Sequence, residues 1–207
     1  ELMEHRNQGE NILWTGTAFG GMPTYQIHVD FPSNWIGYLD KLTTKVLPHP
    51  IYNVFLSMLG FYILMMVLGV NRYVAVFGSI AFAFSSYFFI LLEAGHNSKA
   101  HAIAYFAPVL AGVIMTYRGK ILAGMSLSAL FIALEIKSNH LQMAYYLFML
   151  ILVLALCFFI EAVRNKQLLG YVKASAALAG AAIVALGVNA GLLMTTLDYS
   201  QYTIRGK

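Results

Sequence analysis

Leu141-Gln-Met-Ala-Tyr145-Tyr-Leu-Phe-Met-Leu150-Ile-Leu-Val-Leu-Ala155-Leu-Cys157-Phe-Phe-Ile160-Glu161 is an apolar run with no charged residue before its last position. A helix needs about 20 such residues to cross the hydrocarbon of a bilayer. Every backbone N–H and C=O must be satisfied there without water, which within one span only a helix achieves, and a barrel strand is half this length. The stretch therefore predicts a transmembrane helix, and its neighbours repeat it. Apolar runs cover about 51–70, 73–93, 102–117, 121–135, 141–161 and 168–197. The first, second, fifth and sixth are long enough; the third and fourth are short, and borrow flanking residues or pack inside. The short connections Val70-Asn-Arg-Tyr73 and Tyr117-Arg-Gly-Lys120 suit antiparallel neighbours. The expected fold is all-α, a polytopic transmembrane helical bundle.

Composition agrees. The chain is 59% hydrophobic and 11% charged, with mean hydropathy +0.69, whereas a soluble domain carries roughly 25% charged residues. The net charge of +4 is not a nucleic-acid signal, because the basic residues collect at run ends, as membrane topology requires. A lone cysteine, Cys157, excludes an intramolecular disulfide and reads as buried packing.

Residues 1–50 are polar and aromatic and hold four of the five prolines. Within them, 31–47 is amphipathic: Trp35, Leu39, Leu42 and Val46 recur at helical spacing, with Asp40, Lys41 and Lys45 elsewhere on the circle. Such a helix lies in the membrane interface, with Trp35 and Tyr38 at headgroup depth, or packs on the bundle. The expected organisation is an extracytoplasmic loop over 1–50, six spans over 51–197, and the start of another outer segment over 198–207. In the sixth run, Gly187 and Gly191 form a small-xxx-small pair that predicts close helix packing.

Alternating six spans puts Arg72, Arg118, Lys120, Arg164, Lys166 and Lys173 on one face, with Glu161 as its only acid. The positive-inside rule makes that face cytoplasmic. All six histidines, His5, His28, His49, His96, His101 and His140, then fall on the other face. Two polar clusters lie there: Glu93-Ala-Gly-His96-Asn-Ser-Lys99-Ala-His101 and Glu135-Ile-Lys137-Ser-Asn139-His140. Ionisable groups at span ends are costly to desolvate, so their concentration on one face points to a site, the alternative being that they snorkel into the headgroups. Gly95 favours a break that brings Glu93, His96 and Lys99 round a re-entrant turn. Glu135 and Asn139, four apart, share a face if the helix continues, with Gln142 extending the patch. Lys99 and Lys137 each offer a positive charge with three donors, suited to a phosphate; Glu135 as counter-ion to Lys137 is the structural alternative. His96, His101, His140, Glu93 and Glu135 also make a candidate set for a divalent metal, although His-x4-His is not a specific spacing. Gly20-Gly21 reads as a turn rather than a phosphate cradle.

At Trp14-Thr-Gly-Thr-Ala-Phe19-Gly20-Gly21-Met22-Pro23-Thr-Tyr25-Gln26, with Glu93-Ala-Gly95-His96-Asn-Ser-Lys99 and Asn139-His140-Leu-Gln142, the sequence resembles the YfhO-like membrane proteins of Bacteroidetes. The resemblance implies a GT-C-like polytopic glycosyltransferase of the bacterial inner membrane. Such an enzyme takes sugar from a polyprenyl-phosphate donor in the membrane lipid and passes it to a glycan, lipid or protein acceptor on the periplasmic side, with no nucleic acid involved. It also implies a catalytic acid in the first outer loop. Glu1, Glu4 and Glu10 do not match that position, so the acid is expected upstream of Glu1. Trp14, Phe19 to Pro23, Tyr25 and Gln26 would shape an outer-loop pocket. A transporter or lipid flippase using the Glu, His and Lys groups, or a non-catalytic scaffold subunit, are the rival expectations.

Overall fold

The computed structural model describes residues 13–17, 20–24, 31 and 34–203. A short antiparallel hairpin, β1 (Trp14–Thr15) and β2 (Met22–Pro23), precedes eight helices among these residues. They are α1 (Ile36–Val46), α2 (Ile51–Val67), α3 (Arg72–Glu93, with halves Arg72–Ala83 and Ser86–Glu93), α4 (Asn97–Tyr117), α5 (Ile121–Lys137), α6 (Leu141–Arg164), α7 (Leu168–Val188) and α8 (Ala190–Ser200). The described residues are all-α apart from the hairpin, and α3, α4, α6 and α7 are long and apolar enough to cross a membrane.

The length assignments differ from the sequence reading at the first and sixth runs. The first run yields only 17 helical residues, a rise of about 26 Å, short of the roughly 30 Å hydrocarbon thickness. The third run gains by taking in Asn97 to His101 and reaches 21 residues. α4 is also the central helix: 72% of its most apolar window is buried, against 11% for α6. The sixth run is broken at Asn189, whose side chain spends itself on backbone carbonyls, so α7 stops at Val188 and α8 starts anew.

α4 and α5 pack antiparallel in close contact. A Cβ at Gly112 would lie 2.5 Å from Ser128 Oγ and 2.8 Å from Ser128 N, and one at Gly124 would collide with Thr116. Removing those side chains brings two backbones to van der Waals contact, the main source of helix attraction where lipid is as apolar as leucine. Gly60 of α2 serves likewise, its absent Cβ falling 2.8 Å from Ala104 O. The expected pair Gly187 and Gly191 does not: a Cβ at Gly187 meets nothing within 4 Å, and Gly191 faces only Phe31. In α7 the packing surface is instead Ala174, Ala181 and Ala185, with Ala185 joining Ala133 and Ile136 of α5. Cys157 is exposed on the outer side of α6 rather than buried.

The break at Gly95 is a helix cap, not a re-entrant loop. His96 N donates to Leu91 O at 2.8 Å and Gly95 N to Leu92 O at 3.1 Å, with Gly95 at φ 74°. This Schellman pairing needs a left-handed residue, which glycine adopts without a Cβ penalty. The chain then turns directly into α4.

Candidate functional site

The polar connections 47–50, 94–96 and 138–140 meet at one end of the helices, where α1 crosses over them. α1 is held there by its narrow inner face. Ile36 packs on two apolar clusters, one with Leu56, Tyr105 and Leu134, the other with Ala133, Ile136 and Ala185. Asn34, just before the helix, donates to Asn189 Oδ1 at 3.0 Å, and Asn189 Nδ2 reaches Ala133 O at 2.9 Å and Ala185 O at 3.0 Å. One buried amide thus ties α1, α5 and the α7–α8 junction together.

Asp40, midway along α1, enters the polar end itself. His101 Nε2 stands 2.6 Å from Asp40 Oδ1, and the Tyr105 hydroxyl donates to the same oxygen at 2.9 Å. His101 Nδ1 faces Asn53 Oδ1 of α2 at 2.9 Å. Both ring nitrogens of His101 thus have a polar partner, one of them a carboxylate oxygen. Tyr52 sets its ring edge-on to His101, centroids 5.5 Å apart. Burial alone would raise the Asp40 pKa; the hydrogen bond and charge of His101, then the Tyr105 hydroxyl and the Lys137 charge, outweigh it and hold the carboxyl below its ordinary range. The carboxylate is therefore ionised across the physiological range.

The other predicted residues surround this core in two groups. His96 and Lys99 lie close enough to His140 for their charges to act on it. Burial first, then these charges, keep its pKa below the usual imidazole value. Lys99 Nζ lies 5.7 Å above the Tyr87 ring centroid, a cation–π contact. Lys137 belongs to the other group, its Cε lying against Gly37 of α1 and its charge acting on Asp40. Glu93 ends α3 at the mouth of a cleft of about 900 Å³ between α2 and α3, lined by His49, Val54, Phe84, Phe89 and Ile90. His49, which also lines that cleft, places Nε2 2.9 Å from Asn97 Oδ1.

Three expectations are corrected. Glu135 is not the counter-ion of Lys137: it is 1% exposed, and its Oε1 has no hydrogen-bond partner among the described residues. Asn139 does not share a helical face with it, because α5 ends at Lys137 and Asn139 takes a left-handed φ of 54°. The candidate metal set is not assembled, since no three His, Cys, Asp or Glu among the described residues converge to hold an ion. His101 is drawn to Asp40 instead, and Glu135 is sealed in the helix contact.

Of the outer-loop motif, Trp14, Gly20, Gly21, Met22 and Pro23 form the hairpin, while Phe19, Tyr25 and Gln26 lie outside the described residues. The Trp14 indole covers Gly21, where a Cβ would come within 3.0 Å of Nε1. Gly20 and Gly21 have φ 76° and 119°, as a turn demands.

Sequence reasoning missed Asp40, Asn53 and Tyr105. Asp40 was visible only as the one acid on an amphipathic circle, and the pairing that gives it meaning spans 61 positions. The signal available was weak: an asparagine and a tyrosine inside apolar runs, each needing a polar partner when buried.

No family model, curated protein or solved structure matches the chain.

Proposed function

We propose that the chain is part of a polytopic, GT-C-like membrane glycosyltransferase that uses a polyprenyl-phosphate sugar. Its polar end would face the periplasm from the bacterial inner membrane. The observation that carries this reading is the gathering of Lys99, Lys137, His96, His101, His140 and Asp40 at one end of otherwise apolar helices. Arg118 marks the other end, donating to Val67 O at 2.7 Å and lining one pocket with Lys120. That separation supports the orientation, since basic anchors belong on the cytoplasmic side.

In the reaction, an acceptor hydroxyl oxygen attacks the anomeric carbon and the bond from that carbon to the phosphate oxygen breaks, with inversion. The phosphate leaves with the electron pair, and the hydroxyl proton passes to a base. The residues described here bind and stabilise charge. Lys99 with His96 and His140, and Lys137 beside Asp40, form two cationic groups at this end, either of which can take the phosphate oxygens where a low dielectric strengthens the attraction. None of the described carboxylates is assigned as the base: Asp40 is committed to His101 and Tyr105, and Glu135 is closed off from solvent. Asp40 is a positioning residue for His101. Transfer of labelled sugar from undecaprenyl phosphate by the reconstituted protein tests the reading. Full activity retained in both Lys99→Ala and Lys137→Ala would overturn the phosphate assignment.

Glu135 favours a second reading, a carrier for protons or a solute. A buried carboxyl with an unpartnered oxygen is costly, and such groups inside membrane proteins often serve transport. Accumulation of solute in liposomes without sugar transfer would decide for it.

A further inference from the structure

The outer face of α1 runs opposite to the face that carries its ties. Trp35, Tyr38, Leu39, Leu42 and Val46 are exposed by 81, 60, 50, 59 and 71%. At about 100° per residue, Trp35, Leu39, Leu42 and Val46 fall within an arc of roughly 60°. Ile36, Gly37 and Asp40 occupy the opposite side, against the other helices. An apolar stripe with tryptophan at its start is thus pinned outward by polar bonds on its back.

A second set of residues shows what lies at that height. Tyr87, Tyr145 and Tyr146 are exposed on α3 and α6, 48, 57 and 48% accessible. They stand five or six residues from the polar helix ends at Glu93 and His140, about 9 Å along each axis. Exposed tyrosines near the ends of membrane-length helices mark the headgroup level, because their rings are apolar and their hydroxyls wet. α1 brings Trp35 and Tyr38 to the same end, and only Leu47 to Pro50 separate it from α2. Exposed Lys45 in its last turn offers the headgroups a cation.

We propose that the outer face of α1 beds in the headgroup–acyl boundary of the leaflet beside the polar end, so that membrane lipid covers it while Asp40 holds it to the helices. α1 then acts as a strap that fixes the polar end at the depth of the lipid headgroups. This holds whatever reaction that end serves, and so does not rest on the transferase reading.

The test uses the full chain in phosphatidylcholine vesicles with Trp14→Phe, leaving Trp35 as the only tryptophan. Chains brominated near the headgroup should quench its emission at least about twofold more than chains brominated near the terminal methyl, and aqueous acrylamide should quench it weakly. Strong acrylamide quenching with no bromine effect would overturn the proposal. So would efficient cross-linking between two copies through Leu39→Cys in a Cys157→Ser background, which would make a second chain the occupant. If Trp14→Phe does not fold, an environment-sensitive dye on the same Leu39→Cys protein reads the depth instead, with the same outcomes.

Discussion

Asp40 of α1 and His101 of α4, 61 positions apart in the chain, meet at 2.6 Å. The contact fastens α1 to α4, the most buried of the four membrane-length helices. Tyr105, one turn beyond His101, donates to the same carboxylate oxygen, so one acid anchors two residues of α4.

Acid should loosen this fastening. The folded pKa of Asp40 is depressed, so its contribution is present above the unfolded value, about 3.9, and is lost as pH falls through the lower folded value. The apparent Tm in detergent should therefore drop more steeply below about pH 4 in the wild type than in Asp40→Asn. At neutral pH the variant should already be the less stable of the two, by about 1.5–3 kcal/mol for the lost charged bonds. Identical acid limbs in the two proteins would contradict the assignment.

The glycine contacts predict an asymmetric mutational pattern. Gly112→Val and Gly124→Val push a side chain into the facing backbone and should cost at least about 2–3 kcal/mol or abolish folding. Gly187→Ala meets open space within α7 and should be neutral or stabilise by about 0.4–1 kcal/mol. Denaturation of the purified protein in mixed micelles measures both, and equal losses at Gly112 and Gly187 would refute the packing account.

Asn189→Leu leaves the Asn34 amide buried without its acceptor and should destabilise by about 1–3 kcal/mol. Because Asn34 and Asn189 share a bond, Asn34→Ala added to it should cost little more. A double-mutant cycle should give a coupling of at least about 0.5 kcal/mol; strict additivity would mean that the pair is not coupled.

Glu135 separates structure from function in one substitution. Replacing a buried carboxyl that lacks a partner with a similar-sized apolar side chain removes a desolvation cost, so Glu135→Met should be as stable as the wild type or more so. If Glu135 serves the carrier reading, the same stable variant loses solute uptake in liposomes. Loss of stability without a functional defect would instead show a structural bond at this position.

Much of the local order was legible in the residues. Gly95 marks a break that the sequence reads as a re-entrant turn and the structure makes a helix cap, and the run 141–161 forms the long apolar helix that its length predicts. The apolar stripe Trp35, Leu39, Leu42 and Val46 read within 31–47 is exposed on α1 in the structure. The candidate site was legible only as composition. The two polar clusters do come to one end, but their residues divide: Lys99 with Tyr87 and His140, Lys137 with α1, and Glu135 with no partner among the described residues.

Apolar length, turn chemistry and helical periodicity are local properties, so the sequence by itself determined where most helices run, the break at Gly95 and the apolar stripe of α1, whereas the break at Asn189 came only with its tertiary bonds to Ala133 and Asn34. Which alanines and glycines touch, and that Asp40 answers His101 rather than solvent, was decided by tertiary structure. Helix rotation and depth bring together side chains dozens of residues apart, and the cost of burying a charge without a partner selects the arrangement in which those two meet.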